Sequence, residues 1–556
     1  MGLEARHVRP KPPSPDLMSI PASPEDRAAA LFGDAVAHHQ GGRLAQAVDL
    51  YLAVVALSPA HAPAHANLAV ALRALGRRDE ALASLDRAIA VAPHSAARHY
   101  ARGNVLRDLG RQEEALSAYE RALSIDPGHA ASQHNRAFVL EALGRTEAAL
   151  EAYALALALA PDDAEILTNR GNAFYRRERM TEALADYGRV LALRPLEARS
   201  HYNHAKALEA LGRLDEALAG YERALDRDPG LEAAYWERSR CLLKLHQFAE
   251  GWADYEHRWR EARFLRTAVG QVTADLRARL DPDLSVQALA GRWVLVVGEQ
   301  GVGDILMFAS ILPDLARDAA EVTLLCEPRL QRLFRHSFPG LTVIDPAAAA
   351  ERPPRADHVV AIGSLGRLYR DRREDFPGAP YLAARPEVRA RWEERLGART
   401  APLRVGISWR GGVAGTGAAG RSMTLADLAP VLGLPMCEFV SLQYGDVDDE
   451  VAAANRHLGR PIRLFPAQNI GDFEDLAALT QSLDVVVSVQ TAIIHLAGAV
   501  GQRALVMVPH NPEWRYGATG EDIPWYRSVR LERQAVPGAW AQVIERVARR
   551  LSALTL

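Results

Sequence analysis

The first half of the chain repeats itself with a period of 34 residues, and this period restricts the possible folds more than any other feature. Glycines, small residues and prolines each recur at this step. The members are Gly42, Gly76, Gly110, Gly144 and Gly212, then Ala47, Ala81, Ala115, Ala149, Ala183 and Ala217, and Pro59, Pro93, Pro127, Pro161, Pro195 and Pro229. Glu178 stands at the skipped glycine position and His246 at the one beyond. Such a period predicts one supersecondary unit stacked on copies of itself.

Units such as LGRRDEALASLDRAIAVAP resemble the tetratricopeptide repeat (TPR), in which two antiparallel helices cross at small residues, with a glycine between them and a proline after the second. Six good copies and a degraded seventh, FAEGWADYEHRW, cover residues 26–262. The resemblance implies an α-solenoid with a long concave surface that binds extended peptide or protein. We therefore expect a protein partner in this groove.

One position of the repeat carries asparagines. The series is Asn67, Asn135, Asn169 and Asn203, and Ala101 interrupts it. A carboxamide both donates and accepts hydrogen bonds, so a ladder of them can pair with the backbone of an extended chain whatever its side chains. The alternative, that asparagine is a tolerated polar residue on this helix face, is equally open.

Size, charge and cysteine content limit the class of protein. At 556 residues the chain exceeds the range of a single core, so two or more domains are expected. A formal net charge of −3 argues against a nucleic-acid partner, which would require a basic face. Cys241, Cys326 and Cys437 form no disulfide or zinc pattern and favour a reducing compartment. Residues 1–25 are Pro-rich and lack the apolar core of a signal peptide, so we expect a disordered tail and a cytoplasmic protein without a membrane partner.

The second half opens with a strand, a glycine turn and a helix. The run VLVVGEQGVGD is apolar and β-branched, then carries Gly298, Gly301 and Gly303, and leads into the helical pattern ILMFASILPDL. Doubly wound α/β domains begin in this way, and their ligands lie beyond the carboxyl ends of the strands, here beside Glu299–Asp304. The glycine spacing fits neither a Walker A loop nor a dinucleotide-binding fingerprint.

Strands and helices then alternate to the end of the chain, which predicts parallel sheets. The predicted strands are Glu321–Cys326, His358–Ile362, Leu403–Trp409, Cys437–Gln443, Asp484–Val489 and Ala504–Val508. The predicted helices are Pro386–Leu396, Leu425–Leu432, Phe473–Leu483, Thr491–Val500 and Trp540–Leu551. We expect a connector at 263–290 and two Rossmann-like lobes, at 291–400 and 401–556, the second with a closing helix. Two such lobes across a cleft suggest the GT-B architecture of glycosyltransferases.

Several stretches of this half resemble glycosyltransferase family 9, the ADP-heptose transferase type. They are GEQGVGDILMFASILPDL, VGISWRGG with RSMTLADLAPVL, FVSLQYG, SVQTAIIHLAGAVG, EWRYG and PWYRSVRL. The chain more closely resembles bacterial proteins in which such a domain follows TPRs, some of them flagellin glycosyltransferases. The resemblance implies a protein O-glycosyltransferase with flagellin as acceptor. The first lobe is expected to face the acceptor. The donor is a nucleotide sugar held by the second lobe, and a CMP-linked nonulosonic acid is one candidate.

Sugar transfer to a hydroxyl needs a base for the acceptor proton and groups that hold the departing phosphate. Asp304 matches the position of the family's proposed catalytic base, and Glu299 in the same loop is the reserve. Asp304 also stands where a helix N-cap is expected, and capping alone would select this residue and weaken it as a base. The short Asp-x-Asp strings at 281–283 and 446–448 are too common to predict a metal, so we expect metal-independent transfer without a resident cofactor.

The donor is expected around SVQTAIIHLAG. Gln490 and Thr491 lie where a buried strand meets a helix, so free amides and the positive helix end make a natural phosphate site. The family usually carries Asp where this chain has Gln490. His495 matches the family histidine, and the alternative is a packed helix residue.

Two arginines and a glutamine complete the predicted donor site. Arg421 matches a basic phosphate contact of the family and Arg410 is a second candidate, the alternative for each being a solvated surface residue. Gln443, at the end of FVSLQ, is expected to reach the nucleoside. Three aromatic residues are either core residues or a lid over the base: Trp514, Trp525 and Tyr526. Two other functions stay open, a TPR scaffold with a degenerate transferase domain and a surface-polysaccharide glycosyltransferase.

Overall fold

The computed structural model describes residues 23–261, 274–281, 283–411, 419–465 and 471–554. By its contacts the chain divides into two compact units, Met1–Leu193 and Arg194–Leu556. The predicted disordered tail falls outside the described residues up to position 22, and so do residues 263–273 and 282 of the predicted connector. Among the described residues, every helix is too short or too polar to cross a membrane.

The first unit consists of helical repeats that follow the 34-residue period. Its helices are α1 (Pro24–Gln40), α2 (Leu44–Leu57), α3 (Ala62–Ala74), α4 (Arg78–Val91), α5 (Ala96–Asp108), α6 (Gln112–Ile125), α7 (Ala130–Ala142), α8 (Thr146–Leu159), α9 (Ala164–Arg176) and α10 (Met180–Leu193). Alanines at the periodic positions, such as Ala47 and Ala115, are fully buried, and tyrosines such as Tyr51 and Tyr119 are buried with them in one core. The small side chains let neighbouring helices approach closely, as the period predicts.

The turns between the helices of a repeat use left-handed backbone. The periodic glycines have φ between 73° and 78°, a region that a residue without Cβ adopts without strain. At the two positions where the series lacks glycine, Glu178 and His246 adopt the same turn, with φ of 58° and 61°. The backbone geometry of the repeat is therefore maintained even where the side chain opposes it.

We expect Glu178→Gly to raise the free energy of unfolding by about 0.5–1 kcal/mol, because a side chain in left-handed backbone costs about 1–2 kcal/mol and the larger entropy loss of glycine offsets part of this gain. Thermal unfolding of the full-length protein measures the change. Glu178→Ala is the control and should leave the midpoint nearly unchanged, because alanine keeps the strained Cβ. An equal gain with alanine would attribute the effect to the glutamate side chain instead.

The second unit begins with the last repeats, α11 (Ala198–Ala210), α12 (Leu214–Arg227), α13 (Glu232–Lys244) and α14 (Phe248–Tyr255). Helix α14 shares its core with the α/β region, because Phe248, Trp252 and Tyr255 belong to the same buried cluster as the hydrophobic residues of the following lobe. The Trp252 indole Nε1 donates a hydrogen bond to the backbone carbonyl of Arg370 (2.8 Å). The contact boundary at 193/194 therefore falls within the repeats, and the predicted limit of the repeats at 262 stays a prediction. The degraded seventh repeat completes the lobe that follows it.

Two parallel sheets follow the repeats. The first has the order β3-β2-β1-β4 and the second the order β6-β5-β7-β8-β9, with every strand pair parallel. The strands are β1 (Trp293–Val297), β2 (Glu321–Leu325), β3 (Thr342–Ile344), β4 (His358–Ala361), β5 (Leu403–Ser408), β6 (Cys437–Ser441), β7 (Val485–Ser488), β8 (Ala504–Val508) and β9 (Val529–Arg533). Parallel sheets are thus confirmed, whereas β3 and β9 were not among the predicted strands.

Helices connect the strands of both sheets. They are α15 (Ala274–Ala278), α16 (Val302–Phe308), α17 (Leu312–Asp318), α18 (Pro328–Ser337), α19 (Pro346–Glu351), α20 (Leu365–Tyr369), α21 (Pro386–Leu396), α22 (Ala429–Leu432), α23 (Asp448–Asn455), α24 (Phe473–Gln481), α25 (Ala492–Ala499) and α26 (Trp540–Ala553). The predicted helix at 425–432 is helical only over Ala429–Leu432, where Pro430 near the start favours a helical first turn. Helix α16 follows β1 and α25 follows β7, so both begin at the carboxyl end of a central strand.

Candidate functional site

The first turns of α16 and α25 meet where the two sheets face each other. A Cβ added to Gly303 would lie 3.2 Å from His495 Cδ2 and 3.4 Å from the Ala492 Cα, tighter than nearly all real Cβ contacts. Glycine at this position therefore permits the close approach of the two helices. The carboxyl ends of β1 and β7 are brought together by this contact, which is where parallel sheets bind ligands.

Asp304 lies in the first turn of α16 and has two partners. Its Oδ2 accepts a hydrogen bond from the Gly301 backbone N–H (3.3 Å), so the residue closes the N-terminus of the helix. Its Oδ1 accepts from Arg515 Nε (2.7 Å) and also from Arg515 Nη2. Asp304 is therefore the third helical residue rather than the expected N-cap, which is Gly301, but its carboxylate does bond the start of the helix. The same carboxylate is paired with an arginine from the other lobe. Its side chain is 15% exposed.

Arg515 is the partner that the sequence did not single out. It lies in EWRYG, directly before the buried Tyr516, and its guanidinium packs 4.7 Å from the Trp514 ring centroid. Burial opposes its charge, but Asp304 and Glu513 outweigh that effect and raise the pKa of Arg515 above its usual range. An arginine between two aromatic residues, Trp514 and Tyr516, was the available signal.

Glu513 joins three arginines at this site. Its carboxylate lies 3.4 Å from Arg421, 3.5 Å from Arg240 and 3.9 Å from Arg515. Burial alone would raise the pKa of Glu513, yet these arginines hold it below its usual value. Arg240 belongs to α13, so the last repeat contacts the loop that carries Arg515. In the same interface, Lys244 Nζ donates to Asn511 Oδ1 (2.7 Å).

The predicted donor residues lie at the end of β7. Thr491 is the N-cap of α25, and its Oγ1 lies 3.1 Å from Ser488 Oγ. A Cβ on Gly411 would lie 2.7 Å from the Gln490 carbonyl oxygen and 3.1 Å from Thr491 Cγ2, so the loop after β5 passes directly over this turn. The Gly411 N–H also donates to Ser422 Oγ (3.3 Å), which places the residue after Arg421 beside the same turn. Gln490 and Thr491 are thus brought together with the Arg421 segment.

Gln443 and Arg410 have other partners than the predicted ones. Gln443 Oε1 accepts hydrogen bonds from Ser408 Oγ (3.0 Å) and from the Trp409 and Arg410 backbone N–H groups (2.9 Å each), and its Nε2 donates to the Arg410 carbonyl (3.1 Å). The carboxamide therefore fastens the turn after β5, which leaves it little capacity for the expected nucleoside contact. Arg410 is half exposed and pairs with Glu450 (3.0 Å).

Glu299 lies beneath the site rather than in it. Its side chain is fully buried, and its oxygens accept from Arg258 Nη2 (2.7 Å), Arg258 Nε (3.2 Å) and the Gly363 N–H (3.1 Å). Burial raises the pKa of Glu299, and the Arg258 guanidinium opposes that rise. A carboxylate with no exposed surface cannot reach an acceptor hydroxyl, so the geometry opposes its role as reserve base and makes it an anchor for the seventh repeat.

His495 is a packed histidine beside the site. It is buried, and its Nδ1 lies 3.2 Å from the Tyr526 hydroxyl, which lies 3.5 Å from the Tyr381 hydroxyl. Burial, reinforced by Arg515, lowers the pKa of His495 to about 3, so the ring is neutral at physiological pH. Trp514, Trp525 and Tyr526 are buried in the core cluster of this unit, which fits the core interpretation rather than a lid.

We expect the neutral state of His495 to make stability depend on pH. The folded pKa of about 3 lies below the unfolded value of about 6.5, so the unfolded chain binds the extra proton between these values. The contribution of His495 to the free energy of unfolding is therefore fully present above about pH 6.5. It falls by about 1.4 kcal/mol for each pH unit below that value. Denaturant unfolding at pH 7 and 5.5 should show a loss about 1.4 kcal/mol larger in the wild type than in His495→Gln. Equal losses would contradict a neutral buried ring.

Within the first unit, Asn135 and Asn169 of the asparagine series belong to a hydrogen-bonded surface. Asn135 Nδ2 donates to Asn104 Oδ1 (2.7 Å), which also accepts from the Tyr119 hydroxyl (2.8 Å). Asn169 Nδ2 lies 2.8 Å from His134 Nε2. A cavity of about 500 Å³ beside them is lined by Arg73, Tyr100, Asn104, Arg107, Ala130, Ala131, His134, Asn135, Asp163, Glu165 and Ile166. Asn67 and Asn203 are half-buried residues of α3 and α11.

Comparison with known families identifies the repeats. One tetratricopeptide repeat model matches residues 22–62, 67–130, 168–232 and 202–255, and a second TPR repeat model matches residues 142–177. The predicted TPRs are thus confirmed. Among the residues the structure describes, no group of three or more His, Cys, Asp or Glu side chains is arranged to hold a metal ion.

The chain is also similar to individual proteins. It is 32% identical over 283 residues to Protein FlbA of Caulobacter vibrioides, a match that covers 48% of this chain and 47% of that protein. The chain thus spans about half the length of this curated relative. Among solved structures, YrrB, described as a TPR protein with an unusual peptide-binding site, is 23% identical, with 34% of this chain and 97% of that chain covered and a TM-score of 0.31. The Pseudomonas aeruginosa protein pilF is 20% identical, with coverage of 38% and 97% and a TM-score of 0.35.

Proposed function

We propose that this protein is a GT-B glycosyltransferase that moves a sugar from a nucleotide-activated donor to a Ser or Thr hydroxyl of a protein. The observation that carries the proposal is the meeting of Asp304, Arg515 and the Arg421 segment with the N-terminus of α25 at the carboxyl ends of two parallel sheets. A carboxylate beside cationic groups is the minimal equipment for removing an acceptor proton and holding a departing phosphate.

The residues have separate tasks in this mechanism. Arg421, Arg515 and the free backbone amides at the start of α25 bind the donor phosphate and stabilise the charge that develops on it. Asp304 takes the proton of the acceptor hydroxyl as that oxygen attacks the anomeric carbon. In the structure Arg515 holds Asp304 Oδ1, so a donor phosphate that attracts Arg515 also frees the base. Donor binding before acceptor activation follows from this arrangement.

The repeats supply the protein acceptor. Their confirmed TPR identity supports a protein partner, and the hydrogen-bonding side chains around Asn104 and Asn135 offer donors and acceptors to an extended backbone. The resemblance to TPR-containing transferases makes flagellin the acceptor that we propose. A CMP-linked nonulosonic acid is the proposed donor on the same ground.

The second candidate function is a TPR scaffold whose transferase region no longer acts. Two observations favour it: Gln490 stands where the resembling family has a carboxylate, and Asp304 is already engaged by a cap and an ion pair. A surface-polysaccharide transferase is the third. These functions differ in whether sugar is transferred and in whether the groove matters for transfer.

Groove variants of the full-length protein separate the three. We expect Asn67→Ala combined with Asn169→Ala to lower sugar transfer to the protein acceptor at least about fivefold, with unchanged binding of the nucleotide sugar, because two backbone-binding amides are each worth about 0.5–1.5 kcal/mol. Glu151→Ala, an exposed residue of α8, is the control. If the wild-type protein transfers no sugar, the scaffold function is favoured. If sugar is transferred to a glycan at the same rate in the wild type, the groove variant and the control, the polysaccharide enzyme is favoured.

A further inference from the structure

Gln490 is a buried carboxamide whose hydrogen-bonding groups have no partner among the described residues. Its side chain is 4% exposed, and among the described residues neither Nε2 nor Oε1 has a hydrogen bond. Buried side-chain amides in folded proteins nearly always have partners, and leaving a buried donor or acceptor unpaired costs about 1–3 kcal/mol. Position 490 thus carries a cost that its contacts with the described residues do not offset.

The neighbours of Gln490 are already engaged. Ser488 Oγ donates to the Val489 carbonyl (2.9 Å) and lies 3.1 Å from Thr491 Oγ1. Gly411 presses against the Gln490 backbone from the other side, so the turn has no room to rearrange. The missing partners must therefore come from outside the described chain, at the same strand end where the donor site is proposed.

We propose that Gln490 binds an amide-like edge of the donor, one that presents a hydrogen-bond acceptor beside a donor. This inference rests on the proposed function and specifies the substrate class of the same site. A phosphate offers only acceptors and would leave Oε1 unpaired, whereas an amide edge pairs with both atoms of a carboxamide at once. Two sources carry this chemistry: an N-acylamino group on the sugar and the edge of a nucleobase.

Two parts of the proposed ligand would be bound by different groups of the site. Arg421 and the N-terminus of α25 attract the anionic phosphate, and the neutral Gln490 next to them adds no repulsion and binds the amide edge. A carboxylate at position 490 would accept hydrogen bonds only and would repel the phosphate. Glutamine at this position is thus a specificity residue for the group attached to the phosphate.

The test compares the full-length wild type with Gln490→Met by calorimetric titration with two sets of probes. The first set tests the sugar and contains two pairs, UDP-N-acetylglucosamine with UDP-glucose and CMP-N-acetylneuraminic acid with CMP-deaminoneuraminic acid. The second set tests the nucleobase and contains CMP, UMP, AMP and GMP. We expect the wild type to prefer an N-acyl sugar over its hydroxyl counterpart, or one base over the others, by about 10-fold or more, and Gln490→Met to reduce that preference below about threefold.

A measurement of thermal stability distinguishes a role of Gln490 in ligand binding from a role in holding the fold. Without ligand, Gln490→Met should raise the melting temperature by roughly 2 °C or more, because an apolar side chain removes the cost of the unpaired amide. Gln443→Met is the matched control, a buried glutamine at the end of β6 whose amide is fully bonded, and should lower the melting temperature.

Each other result overturns a defined claim. If Gln490→Met lowers the melting temperature, or keeps the wild-type preference among the probes, the inference is wrong while the proposed transferase stands. If the wild type binds every nucleotide and nucleotide sugar without preference, the inference is also wrong. If it binds none of them at millimolar concentration, the inference and the proposed function both fail.

Discussion

Asp304→Asn should lower the rate of sugar transfer by about 10²- to 10⁴-fold, the usual contribution of a positioned general base. Asparagine cannot take the acceptor proton, but its carboxamide oxygen can still accept the hydrogen bond from Gly301, so the start of α16 should remain folded. The rate constant under saturating donor, with circular dichroism as the check on folding, measures this effect.

Asp345→Asn is the matched control for this variant. Asp345 is an aspartate in the same lobe that caps α19 by accepting a hydrogen bond from the Ala348 N–H (2.7 Å). Asp304→Asn should lose more stability than Asp345→Asn, because it also removes the ion pair with Arg515, and only Asp304→Asn should lose activity. Equal residual activity in the two variants would show that Asp304 is a helix cap and that another group removes the proton.

Arg258→Met should destabilise the second unit by about 3–5 kcal/mol, because it leaves the fully buried Glu299 carboxylate without a counter-charge. The guanidinium also bonds Ser364 Oγ (2.8 Å) and the Tyr255 carbonyl (3.0 Å), so one side chain ties the seventh repeat to the first sheet. Denaturant unfolding of the full-length protein should show an early loss of the second unit with the first unit unchanged.

Removing both charges should restore most of this loss. The double variant Arg258→Met with Glu299→Met removes both fully buried charges, so its stability should lie above that of Arg258→Met alone. The restoration is incomplete because Glu256, whose side chain is 16% exposed, also loses its pair with Arg258 (2.8 Å). Arg389→Met, which breaks an exposed pair with Glu393, should have little effect. A double variant no more stable than the single one would mean that the hydrogen bonds of Arg258 to Ser364 and Tyr255 stabilise the interface more than the ion pair does.

Local patterns in the sequence predicted the elements of this fold well. The 34-residue period determined the helices and their turns, down to the left-handed position that Glu178 shares with the glycines. Alternating apolar runs and helical patterns predicted two sets of parallel strands. The strand β3 was missed because three residues are too few for a period. The packing of the aromatic residues of the seventh repeat into the lobe was not predicted, because no local pattern shows which distant residues they contact.

Candidate residues that follow a strand could be chosen from local patterns, whereas residues from distant segments could not. Gly303, Asp304 and Thr491 lie in the turns and helix starts that follow β1 and β7, and their roles stay predictions. Arg515 lies 211 residues from Asp304, and only the folded chain brings the two together. Arg240 and Glu513, from the last repeat and the late loop, likewise carry no local signal of their contact.

The measurement that tests the central claim most directly is the intact mass of flagellin from strains that carry the wild-type gene, Asp304→Asn or a full deletion. If the protein is a flagellin glycosyltransferase, flagellin from both mutant strains should lack the same sugar mass, while the Asp304→Asn protein remains folded and still binds flagellin. Flagellin of unchanged mass in the deletion strain would contradict this acceptor. Loss of sugar in the deletion strain but full modification with Asp304→Asn would contradict the mechanism.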